Sequence, residues 1–323
     1  MKNNILKLIA IIGLAVLVVW TSPSTQNMNN RQLKVGILQL ADHQALEDAR
    51  KGFVAKLYEL GYVEGENITF NYLNAQSDQS NLQIMAQRLV ADQPDLLLAI
   101  STPAAQALAN ETSEIPILTT AVTSLETANL VESNERPNTN VSGTSDLAPI
   151  DQQLDLLKEL VPNARTIGFI YNSSEANSQL QIEIAQKEAD RLGLETVKMS
   201  VTNTNEVAQT MQALVGRVDA IYIPTDNTLS AAMATVGQIA KANNMPVVTG
   251  SGSATMVGGL ATIGIDYFKL GEQTALMAVD IFENEAKPQT MPVQTQSDAR
   301  LIINEEMVEA LNFRIPATIR GRE

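Results

Sequence analysis

Val35-Gly36-Ile37-Leu38, near the start of the chain, is answered near its middle by Ile167-Gly168-Phe169-Ile170. The likeness continues in order. Leu97-Leu98-Ala99-Ile100-Ser101-Thr102 is answered by Ala220-Ile221-Tyr222-Ile223-Pro224-Thr225, and Ile115-Pro116-Ile117-Leu118-Thr119-Thr120 by Met245-Pro246-Val247-Val248-Thr249-Gly250. A unit that recurs only once over such a length is no stacked solenoid, whose period is roughly 20–50 residues; it implies two lobes built alike. Around these strings, residues 33–40, 95–100, 115–119, 166–171, 219–223 and 245–248 are short apolar runs that read as buried strands. Helical patterns lie at 45–60, 81–92, 103–111, 175–192, 206–215 and 229–243. Strand and helix in alternation imply right-handed crossovers and a mostly parallel sheet covered on both faces. The fold class is therefore α/β, with one doubly wound sheet in each lobe. Pro137, Asn138, Asn140, Gly143 and Pro149 mark the boundary between lobes. A further strand at 260–264, a helix at 268–283 and a tail with segments at 291–293, 300–303 and 305–311 complete both lobes only by crossing back between them.

Composition removes whole classes of function. The 323 residues include Lys+Arg 22 against Asp+Glu 36, a formal net charge of −14, with 45% hydrophobic types. That suffices for a sizeable core, and its sign is wrong for a nucleic-acid surface, which rests on clustered Lys and Arg. With Cys 0 and His 1, disulfide frameworks, thiolate or multi-histidine metal sites and cysteine nucleophiles are absent. No Gly-x-Ser-x-Gly elbow is present, and Gly250-Ser251-Gly252-Ser253 lacks the lysine of a P-loop and the dinucleotide fingerprint. The sequence thus predicts no enzyme, no cofactor and no metal. Residues 1–30 differ from the rest: Lys2 and Lys7 flank the start of an uncharged apolar stretch at 8–20, shorter than the ~20 residues of a membrane span. This predicts a signal peptide or uncleaved anchor, with membrane association through residues 5–20. The body is expected outside, at the outer face of the cytoplasmic membrane, anchored or secreted.

Several strings together resemble a known family. Gly36-Ile37-Leu38-Gln39, Ser101-Thr102-Pro103-Ala104-Ala105-Gln106, Tyr171-Asn172-Ser173-Ser174-Glu175 with Asn177, Asp226-Asn227-Thr228, and Gly264-Ile265-Asp266 with Leu270-Gly271 are similar to the tryptophan/tyrosine-type substrate-binding proteins of ABC importers. The resemblance implies the type 1 periplasmic-binding architecture: two lobes joined by three crossovers, with a ligand cleft between them. Lobe 1 would comprise 31–145 plus about 266–288, and lobe 2 146–265 plus about 289–323. It also implies an amino-acid ligand, tryptophan before tyrosine, delivered to an ABC permease and its ATPase. Other readings of the same receptor class are a peptide, a nucleoside or an aliphatic amino acid; a sensory or adhesion ectodomain is the reading from another class. Where relatives usually carry Thr-Asp-Pro, this chain reads Thr123-Ser124-Leu125, which removes a carboxylate from the cleft rim.

Ligands of open α/β sheets bind beyond the carboxyl ends of the strands, where loops turn into helix N-termini. Ser101-Thr102-Pro103 offers such a turn; Thr102 either caps its own helix or, with the helix dipole behind it, receives a carboxylate. Thr225-Asp226-Asn227 holds the matching place in the second lobe. Asp226 is the first choice for an ammonium partner, ahead of Glu175 and Asp266, although aspartate is also a favoured cap. In the 171–177 loop, Tyr171 either stacks on the ligand or packs in the core, with Asn172, Ser174, Glu175 and Asn177 supplying polar groups. His43 follows the first strand, Ser251 lies in a tight glycine-rich turn, and Asp266 near a crossover serves a hinge or a ligand. The expected contact set also takes in Gln39, Ala104 and Thr120.

Overall fold

The two matching glycines lie in equivalent strands of two matching sheets. The computed structural model describes residues 32–322. The chain begins with β1 (Leu33–Gln39), α1 (Gln44–Glu59), β2 (Ile68–Asn74), α2 (Gln79–Ala91), β3 (Leu96–Ile100), α3 (Thr102–Glu111), β4 (Ile117–Val122) and β5 (Val141–Ser145). It then passes through α4 (Ile150–Leu160), β6 (Thr166–Asn172), α5 (Ala176–Arg191), β7 (Glu195–Val201), α6 (Val207–Leu214) and β8 (Ala220–Ile223). After α7 (Asn227–Ala231) and α8 (Met233–Ala242) come β9 (Val247–Thr249), α9 (Gly252–Gly258) and β10 (Ala261–Gly264). The chain closes with α10 (Tyr267–Asn284), β11 (Gln294–Thr295), β12 (Arg300–Ile303), α11 (Glu305–Ala310) and α12 (Ala317–Arg320).

The strand orders are β2-β1-β3-β4-β5-β11 and β7-β6-β8-β9-β10-β12, so the internal repeat is a repeat of topology. All pairings are parallel except β10 with β12. Gly36 in β1 and Gly168 in β6 do the same work. A Cβ at Gly36 would meet Leu97 and Leu89, and one at Gly168 would meet Leu214 and Val218, so each glycine lets its neighbouring side chains press onto the strand. Asp95 and Asp219 also correspond: the first accepts from the Lys34 N–H at 2.9 Å, the second from the Arg165 and Thr166 N–H groups at 2.8 and 2.9 Å.

Each sheet has its own apolar core. α4 leaves the first sheet to pack in the second core, α10 returns to the first, and the tail from β12 onward rejoins the second. Three stretches of chain therefore cross between lobes. The last lies between Thr295 and Arg300, later than the expected return near residue 289, because β11 still pairs with β5 through Gln294 and Thr295. The strands at β2, β5 and β7 and the helix α4 were not among the expected elements, and the helix expected at 229–243 is two helices broken at Ala232. Segment 1–30, with its expected signal or anchor role, lies outside the described residues. Among the described residues, no helix is long and apolar enough to cross a membrane.

Candidate functional site

The carboxyl ends of both sheets face one another across a narrow, nearly closed cavity of about 10 Å³. The first lobe contributes His43, Ala45 and Leu46 from the start of α1, and Ala121 and Thr123 from the end of β4. The second lobe contributes Asn177 from α5, Thr225, Asp226, Asn227 and Ser230 around α7, and Ser251 before α9. Asp146 and Tyr267 reach the wall from two of the three crossings.

The second-lobe wall is held by buried carboxylates. Asp226 caps α7, its Oδ1 accepting from the Leu229 N–H at 2.8 Å. Its Oδ2 accepts from the Asn172 N–H at 2.5 Å and the Ser178 hydroxyl at 2.7 Å. Burial, reinforced by the neighbouring Glu175 carboxylate, pushes Asp226 up to about 7 against the pull of those three donors. Glu175, also buried, accepts from Asn227 Nδ2 at 2.5 Å, from Asn172 Nδ2 and the Thr228 hydroxyl at 3.1 Å, and from Asn177 Nδ2 at 3.4 Å. Among the described residues, no Lys or Arg lines the cavity.

His43 Nε2 lies 3.2 Å from Asn227 Oδ1 and so ties the lobes together, while burial draws the imidazole down to about 4, opposed by that hydrogen bond. The ring is neutral at pH 7, and Nε2 must carry its proton to pair with a carbonyl oxygen, which leaves Nδ1 as an acceptor without a partner. At the crossings, the Tyr267 hydroxyl donates to Asp146 Oδ2 at 2.7 Å and the Thr123 hydroxyl to Oδ1 at 3.0 Å. Burial pushes Asp146 above the ordinary carboxylate range, with both hydroxyls opposing, and burial with the Asp146 charge raises Tyr267. The two lobes also meet where Gln181 Nε2 lies 3.5 Å from Thr123 Oγ1.

Of the residues expected from sequence, His43, Asn177, Thr225, Asp226, Asn227 and Ser251 come together on this wall. Asn172 and Glu175 stand behind it, holding Asn227 and Asn177. Ser174 is exposed beside a separate polar groove. Gln39, Ser101, Thr102, Ala104 and Thr120 are buried but do not line the cavity. Gln39 donates to the Ala41 carbonyl and Glu47, Ser101 caps α3, Thr120 accepts from Thr144, and the Thr102 hydroxyl has no partner. Tyr171 packs half-buried against the second core, so its core reading is the one the geometry matches. Asp266 is exposed, caps α10 beside the second crossing and stays off the cavity wall. Sequence reasoning passed over Asp146, Tyr267 and Thr123. The signal for Asp146 was the departure at Thr123-Ser124-Leu125: a carboxylate reaches this rim after all, from the end of β5, and Thr123 bonds it.

Comparison with known proteins follows the same geometry. The family model for ABC transporter substrate-binding proteins matches residues 34–322. A tyrosine-binding protein of Clostridioides difficile (strain R20291) is 39% identical over 323 residues, covering 97% of this chain and 93% of its own. Among solved structures, an ABC domain in complex with L-Trp from Streptococcus pneumoniae is 37% identical with a TM-score of 0.86, covering 90% of this chain and 98% of that one. A ligand-free, open substrate-binding protein with adhesive properties from Clostridium difficile is 44% identical, with a TM-score of 0.68 over 88% of this chain and 96% of that one.

Proposed function

The chain belongs to the ABC transporter substrate-binding proteins, a family of receptors and not of enzymes, and we propose that it closes its two lobes around an aromatic amino acid, tryptophan or tyrosine, and delivers it to a permease outside the cytoplasmic membrane. The observation that carries this reading is the cavity itself. It lies between lobes, is walled by the buried carboxylates Asp146 and Asp226, and among the described residues has no Lys or Arg in its lining. A ligand that brings its own cation balances that wall. The seam leaves only about 10 Å³ free, so a ligand enters as the lobes part. His43, Asn177, Thr225, Asn227 and Ser251 are the proposed contacts. The bound names of the relatives, tyrosine in one and L-Trp in the other, supply the aromatic class. Because the ligand touches both lobes, it stabilises the closed form by hinge motion.

Calorimetric titration of the full chain against the twenty amino acids tests the reading. L-Tryptophan or L-tyrosine should release heat and raise the melting temperature. Silence from every aromatic amino acid, with stabilisation by another solute, sinks the aromatic class and leaves the receptor. Reduced uptake of the same amino acid on deletion of the gene tests delivery.

A further inference from the structure

An amino acid held in a dewatered cavity needs an acceptor for each ammonium proton, and acceptor capacity separates the two aspartates on the wall. A carboxylate offers about four lone-pair sites. Three of those on Asp226 are taken, by the Leu229 N–H, the Asn172 N–H and the Ser178 hydroxyl. Asp146 accepts one hydrogen bond on each oxygen, from Thr123 and Tyr267, so two sites remain. A third acceptor stands on the same wall. Asn177 is 6% exposed and its Oδ1 has no partner. The orientation of that amide is set by its Nδ2, which donates to the Thr225 carbonyl at 3.2 Å; turned over, Oδ1 would face another oxygen. Asn177 and Asp146 belong to one short network across the lobes. Gln181 Nε2 donates to the Asn177 carbonyl at 3.2 Å and approaches Thr123, whose hydroxyl donates to Asp146.

We infer that Asp146, with Asn177 Oδ1 from the other lobe, binds the ligand's ammonium, and that Tyr267 positions Asp146 for it; the inference rests on the amino-acid reading of the cavity. Asp226 is then chiefly the cap that builds the α7 turn. The assignment has a mechanical consequence. Asp146 stands where the chain first leaves the first lobe, and Tyr267 opens the helix that follows the second crossing. An ammonium on Asp146 therefore bears on a hydrogen bond that joins two of the three crossings, so ligand binding is read at the hinge and not only across the cleft.

The test compares the full chain's affinity for the tighter of L-tryptophan and L-tyrosine with its affinity for the deaminated counterpart, indole-3-propionate or 3-(4-hydroxyphenyl)propionate. The parent should prefer the amino acid, and Asp146→Asn should shrink that preference by about 30-fold or more. Tyr267→Phe should shrink it by about 3- to 10-fold, while affinity for the deaminated compound holds in both variants. An Asp146→Asn protein that keeps the preference, or that weakens both compounds equally, overturns the assignment. So does an Asp226→Asn protein that alone abolishes the preference. Should Asp146→Asn fail to fold, Tyr267→Phe decides, and an unchanged preference there overturns the proposal. A parent that binds no aromatic amino acid is a different failure: it removes the functional reading, and the ammonium assignment with it.

Discussion

The turns after β3 and β8 occupy matching places in the two lobes and carry opposite chemistry. In the first lobe Ser101 caps α3 with a long bond to the Ala104 N–H, 3.4 Å, and adopts φ 103°. In the second, Asp226 caps α7 at φ −134° and gathers three donors. Around Ser101 are hydroxyls at Thr102, Thr119 and Thr120, whereas around Asp226 are Glu175, Asn172 and Thr228. A duplicated frame has thus kept its strand order while its strand-end turns diverged, one neutral and one acidic.

The helices exchanged between lobes sharpen the comparison most. α10, returned to the first lobe, packs on α1 backbone to backbone: a Cβ at Gly271 would overlap the Ala49 carbonyl and one at Gly52 the Phe268 carbonyl. α4, sent to the second lobe, is pinned instead by buried Gln153. Its Nε2 donates to the Ile263 carbonyl at 2.7 Å and its Oε1 accepts from Tyr222 at 2.8 Å. The first lobe should therefore be the less tolerant of bulk. Gly271→Val forces two backbones apart and should cost about 3 kcal/mol or more in urea unfolding. A loss under about 1 kcal/mol would show that the α1–α10 contact yields as easily as a side-chain contact.

The acidic turn should also give the second lobe a pH signature opposite in sign to the first lobe's. Asp226 lies near 7 in the fold against an ordinary 3.8, so the fold favours its protonated form. Its contribution to stability is full below about pH 4 and is lost as pH rises through 7. Between pH 5 and 8 the unliganded protein should lose about 2–3 kcal/mol from this group, and Asp226→Asn should flatten the slope. His43 runs the other way: lowered to about 4 from 6.5, it supports the fold above pH 6.5 and ceases to as pH falls towards 4. That loss should be about 2 kcal/mol between pH 7 and 5, and be absent in His43→Gln. Chemical denaturation across pH separates the two. A slope unchanged by Asp226→Asn would break the contrast between the turns.

What the sequence revealed follows from which interactions are local. β1, β3, β6 and β8 are covered on both faces and read as continuous apolar runs. β2 and β7 are edge strands in each sheet, half-exposed and mixed in polarity, so no such run marks them. β5 is buried throughout yet reads VSGTS, because its polar groups are satisfied inside: the Ser142 hydroxyl donates to the Met291 carbonyl at 2.7 Å and Thr144 lies 2.9 Å from Thr274. Both partners are far along the chain. The site divides in the same way. Asn177, Thr225, Asp226 and Asn227 belong to strand-end turns whose role is readable from local pattern. Asp146 and Tyr267 meet only because two crossings run side by side, a juxtaposition no local pattern announces.

The smallest expected effect tests the other turn. Ser101 holds φ 103°, ψ 158°, a region that costs a residue with a Cβ on the order of 1–3 kcal/mol. Glycine pays no such cost there. Against that gain, Ser101→Gly gives up a cap bond that is already long, worth a few tenths of a kcal/mol relative to glycine. It also gives up about 0.5–1 kcal/mol through the freer unfolded chain. The terms nearly cancel, so Ser101→Gly should lie within about 1 kcal/mol of the parent, on the stabilising side. Ser101→Ala keeps the strain, loses the cap and should cost about 1 kcal/mol. At Asp226, with φ −134°, glycine relieves nothing and strands the Leu229 and Asn172 N–H groups, so the same substitution should destabilise. Thermal unfolding of the three variants orders them. If Ser101→Gly falls as far as Ser101→Ala, the first-lobe turn stores no strain, and its difference from the second is one of charge alone.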